Sequence, residues 1–139
     1  MKEILDIPFV SYLGIEEEQK DTLKLSSKPK LANHLGSIHA GVIYTLAETQ
    51  SGLFLSKRYC ELNKNVIPLL RSSNIRYKKQ IKNFMIAKAW VEDELSERFE
   101  KQFSKKGRGS IEVMVEVLNE ENEVCAVCEF VWFVQEVKL

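Results

Sequence analysis

One run of eighteen residues limits what this chain can become. From His39 to Ser56 it reads HAGVIYTLAETQSGLFLS, apolar-rich and helical in character, with Glu48 as its only formal charge. An unpaired carboxylate in an apolar core costs several kcal/mol. A carboxylate kept there therefore has a buried partner or a task. Thr45, Gln50, Ser51 and Gly52 make the run a poor membrane span and a reasonable buried helix. Gly36 supplies the turn into it, and Ser37 is the expected N-cap.

After this helix the hydrophobic period changes. Val66 to Ile81, Phe84 to Asp93, Ser110 to Leu118 and Val124 to Val137 are rich in β-branched and aromatic residues and are separated by polar or glycine-containing turns. In IEVMVEVL, residues Ile111, Val113, Val115 and Val117 share one face, and Asn119 to Asn122 read as a hairpin turn into the last strand. Leu95, Phe99 and Phe103 recur at four-residue spacing, which predicts a short helix inside the otherwise polar stretch Leu95 to Gly109. Ahead of the long helix, Lys2 to Tyr12 suggests a short leading helix ended by Gly14, and Ile15 to Ser27 suggests a strand or irregular hairpin. The order predicts an α+β fold: an antiparallel sheet of about five strands folded around one long central helix.

The 139 residues suit a single domain, 1–139, with no repeats and no linker. Twenty basic residues balance twenty acidic ones, which argues against general attraction to nucleic acid or a membrane surface. The N-terminal MKEILDIPFVSYLG carries Lys2, Glu3 and Asp6 and lacks an uninterrupted apolar core, so a secreted product is not expected and a soluble, cytoplasmic one is. Cys60, Cys125 and Cys128 give no disulfide framework. Cys125 and Cys128 form a C-x-x-C within a strand-like run, where residues three apart face opposite sides, so no shared metal is expected. No cofactor is expected either.

On a helical wheel Gly41 and Leu55 lie close to Glu48, flanked by Tyr44, Thr45, Ser51 and Gly52, while Ile43, Leu46 and Leu53 lie on the far side where a sheet can cover them. At the start of the helix, N–H groups from Ile38 to Gly41 include donors with no partner inside the helix, and the helix dipole adds positive potential. Asn33 and His34 sit in a turn just upstream, and His39 stands at the entrance. A carboxylate two turns inside a helix, an amide-lined N-terminus, an Asn and a His are the parts that acyl transfer to water requires.

These residues also carry a family resemblance. NHLGSIHAGVIYTLAETQSG, Asn33 to Gly52, resembles the N-x-x-G-x-x-H-G-G-x(4)-L-x-[DE]-x(3)-G signature of PaaI-like hotdog-fold acyl-CoA thioesterases, and SSNIRYKKQIKNFMIAKAWVED resembles the strand pair that follows the helix there. The resemblance implies Glu48 as general base or nucleophile, the Ala40 amide as the group that polarises the thioester carbonyl, and Gly41 as a second oxyanion donor. Ala40 departs from the family's usual glycine, and its N–H survives the change. Asn33 matches the Asn that holds water or the carboxylate, and His39 the His at the helix entrance. Some members add a Ser or Thr from a partner subunit, a position for which Ser51, Ser72 and Ser73 are candidates.

The resemblance further implies an acyl-CoA substrate and a homodimer, possibly pairing into a homotetramer, with the site between subunits. Arg76, Lys78, Lys79 and Arg108 are candidate seats for the CoA phosphates. Trp90 and Trp132 read as core or interface residues rather than walls of an acyl pocket. Two other functions fit the same fold: a non-catalytic acyl-CoA or fatty-acid binding protein, and a dehydratase or hydratase, whose His-Phe-Pro type of turn the chain lacks.

Overall fold

A computed structural model describes residues 3–61 and 65–137, with the side chains of Cys60 and Glu61 left out. Lys2, where the leading helix is expected to begin, lies outside them. A 3-10 turn at Ile4–Asp6 runs into helix α1, Pro8–Leu13. Pro8 occupies the first turn, where its missing N–H costs nothing, and Gly14 ends the helix in the left-handed region at φ 82. Lys28 and Lys30 reach across to cap it, donating from Nζ to the carbonyls of Leu13 and Tyr12.

Strands β1, Glu16–Gln19, and β2, Thr22–Ser26, form a hairpin over the stretch in which one strand or an irregular hairpin is expected. Its turn places Asp21 at φ 63, with the Asp21 N–H bonded to Glu17 Oε2. Then come α2, Ala40–Glu61; β3, Val66–Tyr77; β4, Phe84–Trp90; α3, Asp93–Lys106; β5, Arg108–Asn119; and β6, Val124–Glu136. The six strands make one sheet in the order β1-β2-β4-β5-β6-β3, antiparallel at every pairing. β3 is paired on one side only, which leaves its outer backbone edge open among the described residues. A long helix held in a curved antiparallel sheet is the hotdog arrangement.

Alternation decides which face of the sheet meets α2. Ile111, Val113, Val115 and Val117 of β5 are buried, as are Leu23 and Leu25 of β2, Met85 and Ala87 of β4, and Cys128, Phe130 and Val134 of β6. They close over Ile43, Leu46 and Leu53 of α2, as the spacing predicts, and over Ala47; Leu55, expected beside Glu48, is buried in the core as well. Each large aliphatic residue buried this way contributes about 1.5–3 kcal/mol. The predicted short helix is real and longer: α3 packs Phe99 and Phe103 against Tyr59 of α2, with ring centroids 6.0 and 5.6 Å from the tyrosine, and Gly107 at φ 68 turns the chain into β5. The two described cysteine side chains, Cys125 and Cys128, are free and buried, and burial pushes the Cys128 thiol up to about 12.

Candidate active site

The approach to α2 is a loop built on Asn33. Its Oδ1 accepts from the N–H groups of Leu35 and Ser37, at 2.9 and 3.1 Å, and from Ser37 Oγ at 3.3 Å. Its own N–H donates to the Ser37 carbonyl, and Gly36 makes the reversal at φ 79. With Oδ1 engaged three times, the amide orientation is fixed, and Nδ2 is its remaining polar atom. Ser37 is therefore spent inside this loop and on Gln80 Oε1. It does not cap the helix.

The cap is His39. Its Nδ1 accepts the Gly41 N–H at 2.9 Å, and its carbonyl takes the N–H groups of Val42 and Ile43. A side chain at position 41 would bring a Cβ to 3.2 Å from that nitrogen, so the glycine leaves room for the imidazole. The Gly41 N–H, expected as a second oxyanion donor, is consequently occupied. The Ala40 N–H, at the first position of the helix, has no acceptor among the described residues. Tyr77 Oη donates to the Ala40 carbonyl at 3.0 Å and ties the helix start to the end of β3. Asn33, Ser37, Ala40, Tyr77, Lys78 and Lys79 are among the residues lining a cavity of about 250 Å3 here.

Two turns further on, most polar side chains in the middle of α2 are satisfied one after another, although Arg58 Nε and Tyr59 Oη nearer its end are buried without a partner among the described residues. Thr45 Oγ1 donates to the Gly41 carbonyl, Thr49 Oγ1 to that of Thr45 and Ser51 Oγ to that of Glu48. Gln50 bridges the β1–β2 turn, accepting from the Leu23 N–H and donating to the Asp21 carbonyl. Tyr44 Oη bonds Ser73 Oγ at 2.9 Å. Lys57 pairs with Asp21, and Arg58 with Glu100. Glu48 differs from these partnered groups: among the described residues its carboxylate meets no donor and no cation. Burial alone raises its pKa above the ordinary 4.5.

Glu48 faces a second, larger cavity of about 410 Å3, bounded also by Ile4, Ile7, Phe9, Pro68 and Trp132. Trp132 is thus both a core residue and a wall of this cavity, fixed by Nε1 donating to Ser51 Oγ at 2.9 Å. That bond buries Ser51 and spends its hydroxyl, whereas Ser72 and Ser73 remain exposed on β3. Glu48 and Ala40 are eight residues apart on one helix, about 12 Å along its axis. Within one chain the acid and the free amide open into different cavities.

The basic candidates separate as well. Arg76 is exposed near the end of β3, Lys78 and Lys79 line the smaller cavity, and Lys79 is paired with Glu123. Arg108 pairs in register with Gln135, while the Lys78 and Lys79 N–H groups bond Cys125 ten residues away on β6. That distance is on the order of 30 Å along a strand. Arg108 therefore sits at the opposite end of the sheet from the other three. Sequence reasoning gave no signal for Tyr77 or for the N-terminal wall of the Glu48 cavity, because both roles depend on packing between distant segments.

Residues 13–134 match the family model described as a domain of unknown function, DUF4442. The chain belongs to that family. No curated protein sequence matches it. Solved structures similar to this DUF4442 protein include a Pseudomonas aeruginosa protein of unknown function described as a probable thioesterase, 20% identical, with a TM-score of 0.78 over 96% of this chain and 91% of that one. A Haemophilus influenzae thioesterase is likewise 20% identical, with a TM-score of 0.73 over 96% of this chain and 86% of that one. A Bacillus halodurans protein solved with CoA is 21% identical, with a TM-score of 0.71 over 91% of this chain and 74% of that one. At these identities the likeness is one of fold, and the fold is that of the hotdog thioesterases. Among the described residues no helix of this DUF4442 chain is long and apolar enough to cross a membrane.

Proposed function

We propose that the protein hydrolyses an acyl-CoA thioester to the free acid and CoA, working as a homodimer. The observation that carries this reading is the Glu48 carboxylate, without a partner among the described residues and held in a mostly apolar cavity, on a helix whose first N–H likewise has none among them. A structural carboxylate would have drawn a donor, as the Gln50 side-chain oxygen drew the Leu23 N–H. Glu48 activates a water or attacks the thioester carbon. The Ala40 N–H takes the negative charge that develops on the carbonyl oxygen, a contribution worth about 3 kcal/mol in comparable sites. Asn33 Nδ2 orients the water or the carboxylate, and His39, through its cap on Gly41, holds the first turn in place.

One thioester carbonyl does not span the roughly 12 Å between Ala40 and Glu48 of the same helix. Two copies related by a two-fold axis, with their helices antiparallel, remove the difficulty: the partner's Glu48 approaches Ala40, and symmetry builds the site twice. Lys78 and Arg76 lie at the helix-start end of the sheet and supply positive charge for phosphates. The likeness in fold to a protein solved with CoA supports CoA as the carrier.

A panel of short, long and aromatic acyl-CoAs, with a free-thiol reagent as readout, tests the reading. Turnover of at least one member, lost by about 10^4-fold in Glu48→Gln, is the expected result. A panel with no cleavage, or a Glu48→Gln variant as fast as the parent, overturns it. Because Glu48 works ionised and burial raises its pKa, the acid limb of the rate profile should lie above pH 4.5.

A further inference from the structure

The cavity facing Glu48 has walls from three parts of the chain that are far apart in sequence. Ile4, Ile7, Phe9 and Val10 come from the N-terminal segment, Pro68 from the edge strand, and Trp132 from β6. Ile7 and Phe9 are 37% and 57% exposed, so the N-terminal segment spends apolar surface on roofing this space instead of burying all of it in the core. Among the described residues lining the cavity, Glu48 is the only titratable one, at one side of a mostly apolar interior. A free fatty acid would bring a second carboxylate toward Glu48 with no cation among the described lining residues to offset it. A neutral acyl chain meets no such cost.

Position 52, on the wall of this space, has no side chain. Gly52 sits one turn after Glu48 on the same face, and a Cβ there would lie 3.7 Å from Ile4 Cδ1 and 3.8 Å from Trp132. These are ordinary contact distances. An alanine therefore fits without strain and occupies the gap between roof and floor, and a leucine extends further into it. Glycine inside a helix costs about 0.5–1 kcal/mol relative to alanine, so an open position here runs against helix stability.

Resting on the thioesterase reading above, we propose that this cavity takes the acyl group of the substrate, that Gly52 and the Ile4–Val10 roof set its length, and that the preferred class is a linear aliphatic chain of medium length. At about 30 Å3 for a water-sized group, 410 Å3 holds roughly a dozen such groups when filled completely. A chain of roughly six to ten carbons occupies it with realistic packing, an acetyl group leaves most of it empty, and a sixteen-carbon chain outgrows it.

Two measurements separate this proposal from the reading it rests on. Thermal stabilisation of Glu48→Gln by CoA and by straight-chain acyl-CoAs from two to sixteen carbons reads binding without turnover. Affinity should climb by about fourfold per methylene until the cavity is full and then level off. Adding Gly52→Ala or Gly52→Leu to that variant should move the plateau to shorter chains, the leucine more. The kcat/KM series on the parent and the two Gly52 single variants should show the same displacement, with the ten-carbon to four-carbon ratio falling at least tenfold in Gly52→Leu. Stabilisation that is flat across chain length, or a profile untouched by both Gly52 substitutions, overturns the pocket even if turnover is robust. Length-dependent stabilisation that shifts with Gly52, in a protein that cleaves nothing, supports the pocket and overturns the hydrolase reading instead.

Discussion

The approach to α2 and the middle of the helix satisfy their polar groups alike but withhold opposite kinds. In the approach and first turn, from Asn33 to Gly41, Asn33 Oδ1, Ser37 Oγ, His39 Nδ1 and the Gly41 N–H all have partners, and the Ala40 N–H is left over. In the middle of the helix, Tyr44, Thr45, Thr49, Gln50 and Ser51 are equally well satisfied, and one carboxylate is left over. Each region is a largely satisfied piece of structure that withholds a functional group, the Ala40 N–H donor in the first and the Glu48 acceptor in the second. The polar network around each group holds the backbone steady while leaving that group unused. This is how a site is preorganised without being consumed by its own scaffold.

After the loss of Glu48 itself, removing the withheld donor breaks the comparison most severely. Ala40→Pro deletes that N–H at the one helical position where proline is well tolerated, so circular dichroism should stay native while turnover falls about 10^2- to 10^3-fold. A wild-type rate in a folded Ala40→Pro variant would remove Ala40 from the mechanism. Next in size is Asn33→Ala, which strands the Leu35 and Ser37 donors and should lower unfolding free energy by about 2 kcal/mol in urea titration. His39→Ala removes the cap and should cost about 1 kcal/mol, with His39→Asn recovering most of it. If asparagine recovers stability without recovering rate, the imidazole does more than cap.

The smallest effect concerns the withheld acceptor and has the opposite sign. Burial raises the native pKa of Glu48, so the folded state holds its proton more tightly than the unfolded one. Its contribution is fully present below about pH 4.5 and is lost as pH rises through the native value. Glu48→Gln should therefore be more stable than the parent at neutral pH, by on the order of 0.5 kcal/mol, and the difference should vanish on acidification. Paired pH-dependent melting curves check this.

Periodicity made most of the frame legible. Ile111, Val113, Val115 and Val117 alternate, Phe99 and Phe103 repeat at helical spacing, and both patterns end up facing the core. It was coarser where side chains carry no burial signal: β1 is Glu-Glu-Glu-Gln, exposed throughout and a strand because β2 pairs with it, so Ile15 to Ser27 read only as a strand or an irregular hairpin. It also placed the cap at Ser37, since a short polar residue before an apolar run is the ordinary signature. Only the folded loop reveals that Asn33 and Gln80 claim that hydroxyl, leaving a histidine to do the work. That Glu48 is the one formal charge in its run was readable from the sequence; that it meets no partner among the described residues was not. The distance that separates it from Ala40 followed from helix geometry, but the separate cavities did not, because their walls come from residues as distant as Ile4 and Trp132. Arg108 looked like one more base near a basic stretch until the sheet register carried it to the far end.

The hydrogen bond from Tyr77 to the Ala40 carbonyl joins the open edge strand to the peptide group next to the unused amide. Whatever lies along β3 thereby handles one end of a short lever whose other end is the helix entrance. In a protein that assembles through that edge, dilution would do more than separate subunits. It would let go of the lever, so that specific activity and protein concentration become two readings of one equilibrium.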